Sequence, residues 1–352
     1  MNKLPVTVVT GFLGAGKTTL VRNLLQNNQG RRIAVLVNEF GEVGIDGEIL
    51  RSCQVCDGDE PDPATNSTPA TNSTILELAN GCLCCTVQEE FLPTMQELLK
   101  RRDSLDCIVI ETSGLALPKP LVQAFRWPEI RTGATVDWVV TVVDCEALAA
   151  GQVVGDIEAL TAQRDEDPNL EHETPIEELF EDQLGCADMV LLTKVDQVEA
   201  DDRDRVLNWL ETEVPKGVKI VPCEKGKIAP EVLLGFNATV EDDLDNRHSH
   251  HDHEEEHDHD DNITSFGVEL GTVDDPKALV KKLQRLVEEW EIYRIKGFLD
   301  VANKPMRLVL QGVGKRFDSF YDHPWQSDEN RRTQLVIIGQ DLNEDEIRRA
   351  IA

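Results

Sequence analysis

Short apolar runs alternate with amphipathic stretches along the first two thirds of the chain. Runs rich in β-branched residues predict buried strands at 6–10, 33–37, 107–111, 138–144, 189–193 and 219–222. Helical periodicity begins at 19–25 and is clear at 90–102 and 200–213. Strands that are apolar on both faces are typical of parallel sheets covered by helices, so the pattern predicts an α/β domain with a mostly parallel, doubly wound sheet.

Two polar segments interrupt this alternation and suggest the domain organisation. Residues 52–74 are rich in Pro, Asn, Ser and Thr, which is typical of a disordered insertion. Residues 239–262 are acidic and His-rich, which indicates a linker. We therefore predict a first domain over 1–238 and a second over 263–352.

The region after the linker predicts a small α+β domain. Strands are expected at 264–270, 294–301, 307–312 and 332–338, and helices at 276–290 and 344–351. The first helix places Leu279, Leu283, Leu286 and Trp290 on one face, which fits packing against a sheet.

Composition narrows the function classes. The 352 residues carry a net charge of −31, from 35 Lys+Arg against 66 Asp+Glu, which argues against nucleic acid as a partner. No apolar run approaches the length of a membrane-spanning helix, and we expect no cleavable leader at Met1, because the first apolar run leads into a glycine loop with no cleavage site. Three of the nine cysteines, Cys107, Cys145 and Cys186, lie in or beside apolar segments. We predict a cytoplasmic, soluble protein without a disulfide scaffold.

The most specific motif is a phosphate-binding loop at residues 11–18, between a predicted strand and a predicted helix. Backbone N–H groups and the helix start would bind phosphate oxygens, with contacts at Gly11, Gly14, Ala15, Gly16, Lys17, Thr18 and Thr19. Lys17 would neutralise the β- and γ-phosphates, and the Thr18 hydroxyl would bind Mg²⁺. The motif predicts nucleotide binding.

Two later strand ends carry residues suited to the same nucleotide. Glu111 ends the strand 107–111 and would order the Mg²⁺ shell or a water, so we predict Lys17 and Glu111 as the catalytic pair. Thr193, Lys194 and Asp196 resemble the Asn-Lys-x-Asp sequence that reads guanine in GTPases. Asp196 would accept hydrogen bonds from the base and the Lys194 stem would pack on it. Thr193 replaces the usual Asn, yet we predict GTP rather than ATP.

A cluster of three thiols predicts a metal site. Cys82, Cys84 and Cys85 can supply two or three thiolates, which select metals such as Zn²⁺ or Co²⁺. Two thiolates with an outside carboxylate fit the local chain better than three, and Glu39 is the first candidate.

Two other segments could also bind metal. Cys53 and Cys56 could form a second site or add ligands to the first. Residues 248–261 contain six of the eight His among seven carboxylates, which suits weak metal capture, although an acidic linker is the alternative.

These motifs together resemble the CobW family of P-loop GTPases, which are related to the nickel-inserting GTPases of urease and hydrogenase maturation. The resemblance rests on GFLGAGKTT (11–19), NEFGEVGID (38–46), ELANGCLCCTV (77–87) and ETSGLALP (111–118), with the His-rich linker and the small second domain. The longer run at 111–131 is similar to the subgroup linked to cobalamin biosynthesis. Thr193 and the insertion after Cys56 depart from the family pattern.

The resemblance implies a metallochaperone. Mg²⁺ and GTP would tighten a Co²⁺ or Zn²⁺ site, and hydrolysis would release the metal to a client metalloprotein or a cobalt chelatase, with 39–46 as the switch and a nucleotide-dependent dimer as one form. Zinc delivery to zinc enzymes is one alternative, and a metal buffer with a structural nucleotide site is another. A small-molecule kinase would leave the thiols unexplained.

Overall fold

A computed structural model describes residues 3–37, 74–77, 91–158, 160–161, 175–234, 263–314, 316–325 and 330–351. The chain divides into two compact units. The first comprises residues 3–216 and 220–235, and the second includes residues 263–351. Helices and strands are numbered below within the described ranges. The predicted linker and residues 52–73 of the insertion predicted at 52–74 lie outside those ranges, whereas Thr74 begins a strand and is not part of an insertion. The domain boundaries stay a prediction.

The first unit is built on a seven-stranded sheet in the order β3-β2-β4-β1-β5-β6-β7. Strands β1 to β6 pair in parallel. The strands are β1 (Leu4–Thr10), β2 (Ile33–Val37), β3 (Thr74–Glu77), β4 (Cys107–Glu111), β5 (Ala134–Asp144), β6 (Met189–Thr193) and β7 (Lys219–Cys223). The predicted parallel α/β architecture is confirmed.

Burial explains why these segments form strands. Every residue of β1, β2, β4 and β6 is buried, as expected for strands covered on both faces. On one face, Val6 and Ile108 pack with Phe91, Met95 and Leu98. Strands β2, β3 and β4 lie on one side of β1. The chain then crosses to β5 on the other side, so the direction in which strands are added reverses at β1. Such a reversal opens a crevice at the carboxyl ends of the strands, which is where ligands bind in open α/β sheets.

Helices flank this sheet in the part of the chain that the structure describes. They are α1 (Lys17–Gln26), α2 (Leu92–Lys100), α3 (Pro118–Ala124), α4 (Cys145–Ala149), α5 (Ile176–Gly185), α6 (Ala200–Glu213) and α7 (Pro230–Leu233). Helix α6 has the predicted bounds. Helix α2 is shorter than predicted because the chain tightens into a 3-10 turn at Arg102–Ser104. Among the described helices, none is long and apolar enough to cross a membrane.

The second unit is a five-stranded antiparallel sheet in the order β11-β10-β9-β12-β8, with two helices. Its elements are β8 (Ile263–Leu270), α8 (Pro276–Glu289), β9 (Ile292–Leu299), β10 (Met306–Val313), β11 (Arg316–Pro324), β12 (Thr333–Gln340) and α9 (Glu344–Ile351). Leu279, Leu283 and Leu286 pack against Ile295 and Ile337, as the helical periodicity predicts.

A carboxylate organises one end of this second sheet. Asp300 follows β9, and its side chain accepts hydrogen bonds from Thr272 Oγ1 at 2.7 Å and Arg331 Nε at 2.8 Å. Its backbone N–H donates to Thr333 Oγ1 at 3.0 Å. Burial alone would raise the pKa of the Asp300 carboxyl, but the hydrogen bonds from Thr272 and Arg331 and the arginine charge outweigh it, so the pKa lies below its usual value.

We expect Asp300→Asn to lower the free energy of unfolding of the second unit by about 1–3 kcal/mol at neutral pH, because hydrogen bonds to a charged, buried acceptor are weakened. Calorimetry of the full chain measures this as a shift of one transition. The matched control is Asp274→Asn, at an exposed carboxylate nearby. Equal shifts in both variants would contradict the proposed role of Asp300.

The same variant has a defined pH dependence. The folded pKa of Asp300 is lowered, so the stability that its carboxylate contributes is present above about pH 4, the ordinary pKa of Asp. That contribution disappears as the pH falls through the folded pKa. The difference in stability between wild type and Asp300→Asn should therefore shrink in acid.

Candidate functional site

The loop after β1 is shaped by the strand beside it. Gly11 has a φ of +136°, and a Cβ on it would lie 2.2 Å from the carbonyl oxygen of Val142 in β5. Only glycine fits at this position, because any side chain would collide with the backbone of β5. The sheet therefore holds the start of the predicted phosphate-binding loop before any ligand arrives.

Helix α1 begins where the loop ends. Its ten residues start at Lys17, after Gly16 at the N-cap. The first N–H groups of a helix have no partner within the helix, so this end attracts anions. The side chain of Lys17 is buried, and its Nζ donates to the carbonyl oxygen of Phe12 at 3.0 Å. The lysine is thus folded back over the loop that is predicted to bind phosphate.

Thr18 and Glu111 meet at this helix start. The Thr18 Oγ1 donates to Glu111 Oε1 at 2.8 Å, and Glu111 is buried at the carboxyl end of β4. Hydroxyl and carboxylate oxygens are the ligands that Mg²⁺ prefers in nucleotide sites. The two residues predicted to serve Mg²⁺ are brought together by adjacent strands, and their chemistry fits that ion.

The loop that follows Glu111 is pressed against the phosphate-binding loop. Thr112 N–H donates to the carbonyl oxygen of Val9 at 2.9 Å, and its hydroxyl donates to Thr10 Oγ1 at 3.0 Å. A Cβ on Gly114 would lie 2.6 Å from the backbone nitrogen of Leu13. This close approach explains the glycine and puts the 112–116 loop beside the place where phosphates would bind.

Thr193 makes hydrogen bonds that its sequence motif did not predict. Its hydroxyl lies 2.7 Å from the carbonyl oxygen of Ala15 and 3.0 Å from that of Val143. Both are acceptors, so the single hydroxyl proton is shared between them. Thr193 therefore ties the phosphate-binding loop to β5 and β6, in addition to standing where guanine-reading GTPases carry an Asn.

Lys194 is paired with an acid that sequence reasoning missed. Its Nζ lies 2.6 Å from Asp144 Oδ2, and Asp144 is buried at the end of β5. The other oxygen of Asp144 caps α4 by accepting from the N–H groups of Glu146 and Ala147. The sequence could have pointed to Asp144, because it ends an apolar strand as Glu111 does. Asp196 is exposed on the 3-10 turn Val195–Gln197.

A second missed element is the loop after β7. Asn23 Nδ2 on α1 donates to the carbonyl oxygen of Lys225 at 2.6 Å. Gly226 lies against the same helix, since a Cβ there would be 3.1 Å from the backbone nitrogen of Leu20. This loop therefore borders the helix that carries Lys17 and Thr18. Its sequence has no motif that pointed to the site.

The predicted metal ligands Glu39, Cys82, Cys84 and Cys85 lie outside the described residues, as do Cys53, Cys56 and the His-rich segment. Within the described ranges, no group of three or more His, Cys, Asp or Glu could hold a metal. Cys107, Cys145, Cys186 and Cys223 are not in disulfide bonds, and Cys186 is only half-buried. Burial raises the pKa of the Cys107 thiol to about 12, so it stays protonated and is a poor ligand.

Comparison with known proteins matches both units. The family described as "CobW/HypB/UreG, nucleotide-binding domain" matches residues 5–222, and "Cobalamin synthesis protein cobW C-terminal domain" matches residues 263–352. "Zinc chaperone CobW" of Pseudomonas aeruginosa is 55% identical over 98% of this chain and 89% of its own length. "Zinc chaperone YjiA" of Escherichia coli is 31% identical over 100% and 99%. A crystal structure described as Zn(II)-bound YjiA GTPase from E. coli aligns with a TM-score of 0.43 at 28% identity, over 99% of this chain and 98% of that one.

We expect Thr193→Val to weaken nucleotide binding about five- to tenfold, because the phosphate-binding loop loses one buried hydrogen bond worth roughly 1 kcal/mol. Titration of a fluorescent GDP analogue measures the affinity. Thr7→Val is the matched control, since the Thr7 hydroxyl donates at 2.6 Å to the carbonyl oxygen of Leu233, away from the loop. A comparable loss in Thr7→Val would show that the effect is general destabilisation.

Proposed function

Because this chain belongs to the CobW/HypB/UreG family, we propose that it is a GTP-hydrolysing metallochaperone, which binds a thiophilic metal at Cys82, Cys84 and Cys85 and delivers it to a client protein. The contact between Thr18 and Glu111 is the main support for the proposed nucleotide site, since it joins the phosphate-binding helix to the acid of the neighbouring strand. GTP hydrolysis is the activity that the family membership supports.

In this proposal the residues around the loop divide the work. Lys17 and the N–H groups of the loop neutralise the β- and γ-phosphates. Thr18 and Glu111 hold Mg²⁺, which supplies charge compensation when bound. Glu111 orders the attacking water through its carboxylate. Lys17, the loop N–H groups and a bound Mg²⁺ would place positive charge next to the reacting phosphates, which is how proteins accelerate phosphoryl transfer, whereas Glu111 contributes by positioning.

Guanine recognition falls to the loop after β6. The exposed carboxylate of Asp196 accepts hydrogen bonds from the base, and the stem of Lys194 packs on it. The ion pair with Asp144 fixes where that stem lies, because it holds the Nζ at the end of β5. Thr193 does not supply the amide of the usual Asn, so discrimination against other bases rests on Asp196.

The metal half of the proposal rests on sequence and on the relatives. Thiolates with one carboxylate, Glu39, form a four-coordinate site that suits Zn²⁺ or Co²⁺. Two matched relatives are named zinc chaperones, which favours zinc as cargo. Cobalt cargo, with a cobalt chelatase of cobalamin biosynthesis as client, is the second candidate, and the match to a cobalamin-synthesis domain motivates it.

Three further expectations accompany this proposal. The protein acts in the cytoplasm, where thiols stay reduced and available for metal. Its client is a metalloprotein that receives the ion directly. A dimer forms when GTP is bound, and gel filtration with GDP or a slowly hydrolysed GTP analogue distinguishes the two states.

We expect Glu111→Gln to lower kcat for GTP hydrolysis about 100-fold or more, because the carboxylate that orders the reacting water loses its charge. GDP affinity measured without Mg²⁺ should change little, since neither the reacting phosphate nor the ion that Glu111 would hold is then present. Phosphate release under saturating Mg²⁺-GTP measures kcat. The control Glu129→Gln changes an exposed carboxylate outside the site and should leave kcat unchanged. Wild-type turnover in Glu111→Gln would exclude the assigned role.

We expect Mg²⁺ with a slowly hydrolysed GTP analogue to raise Zn²⁺ affinity at least about tenfold over Mg²⁺-GDP, a coupling of roughly 1.4 kcal/mol. Linkage requires Zn²⁺ to raise affinity for the analogue by the same factor. Competition with a chromogenic chelator measures the first quantity. The double variant Cys84→Ser, Cys85→Ser should abolish the coupling, whereas Cys186→Ser should retain it. Equal Zn²⁺ affinities with the two nucleotides would favour a metal buffer.

A further inference from the structure

Helix α5 (Ile176–Gly185) touches both loops of the candidate nucleotide site. Phe180 and Gln183 lie three residues apart and so share one face of the helix. The ring of Phe180 stacks on that of Phe12 in the phosphate-binding loop, with centroids 5.9 Å apart and planes at 11°. Gln183 reaches the 112–116 loop instead. One rigid helix therefore holds a contact with each of the two loops.

The amide of Gln183 is the more specific of these contacts. Its side chain is fully buried, and Nε2 donates to the carbonyl oxygens of Gly114 and Ala116, both at 3.2 Å. The opposite orientation of the amide would place its oxygen against two acceptors, so the two carbonyls determine the orientation. The Oε1 atom is buried and has no hydrogen-bond partner among the described residues. Buried polar atoms without a hydrogen bond are uncommon in folded proteins, so the position of this amide needs an explanation.

The two carbonyls belong to a tight turn. Ala116 N–H donates to the carbonyl oxygen of Ser113 at 3.2 Å, and Thr112 is tied to β1 on the other side. Between them, Gly114 is pressed against the nitrogen of Leu13. Gln183 thus fastens the far side of the turn, and its loss would free Gly114 to move away from the phosphate-binding loop.

We propose that Gln183 is a positioning residue for GTP hydrolysis, which acts by holding the Gly114 peptide against the phosphate-binding loop beside the reacting phosphate. The inference rests on the proposed GTP hydrolysis and adds to it a residue that touches neither nucleotide nor metal. The amide of Gln183 donates two hydrogen bonds, and leucine or methionine of similar size can donate none.

The test compares kcat, KM and GDP affinity in full-length variants with Mg²⁺-GTP and GDP as probes. Gln183→Leu should lower kcat about ten- to hundredfold, because small misplacements of a reacting geometry cost that much. KM and the Kd for GDP should stay within about twofold, since the loop faces the reacting phosphate. Gln183→Met, which keeps the length of the side chain, should behave in the same way and provides the measurement if Gln183→Leu does not fold.

Thr141→Val is the matched control. The Thr141 hydroxyl donates to the backbone carbonyl of Gln183 at 2.9 Å, so this variant loses a buried hydrogen bond to the same residue and leaves the amide in place. It should lower Tm and retain kcat. Unchanged kcat in the Gln183 variants, or an equal fall in Thr141→Val, overturns this inference alone. A wild-type protein without GTP turnover overturns the proposed function together with it.

Discussion

Close packing of backbone against backbone on both sides of β1 is the constraint on which the site depends. On one side, Gly11 leaves no room for a Cβ below the carbonyl of Val142 in β5. On the other, Gly114 after β4 approaches the nitrogen of Leu13 to within a distance that a side chain would block. The phosphate-binding loop is therefore clamped between its two neighbouring strands. A loop that is already in its binding shape loses little conformational freedom on binding, so more of the contact energy appears as affinity.

Three polar groups of the site come from three different strand ends. Glu111 comes from β4, Asp144 from β5 and Thr193 from β6, while Thr18 stands on the helix that follows β1. In a parallel sheet these carboxyl ends lie along one edge, so residues far apart in sequence become neighbours. The strand order matters here, because β4 and β5 lie on either side of β1 only when the direction in which strands are added reverses at β1. The chemistry of the site is thus a consequence of the strand order.

The hydrophobic pattern predicted the central strands of the first unit because those strands are buried on both faces. Strands such as Met189–Thr193 are buried throughout and apolar up to their last residue because both faces are covered, which makes them conspicuous in sequence. β11 was missed because Arg316–Pro324 mixes charged and aromatic residues, which gives no continuous apolar run. Lys17 was predicted from a motif with fixed spacing, and Glu111 from its place at the end of an apolar strand. Gln183 could not, because a glutamine on an amphipathic helix gives no sign in sequence that tertiary contacts will bury it.

The energies involved set how such a protein can couple nucleotide to metal. A tenfold change in metal affinity requires about 1.4 kcal/mol of difference between the two nucleotide states. That is close to the net worth of one buried hydrogen bond. The 112–116 loop is held by a few such bonds, from Thr112 to β1 and from Gln183 to the turn. Exchange of a single one of them on loss of the third phosphate would match the size of the coupling proposed above. The proposed switch would therefore need, in energy, no more than the exchange of one hydrogen bond in the 112–116 loop.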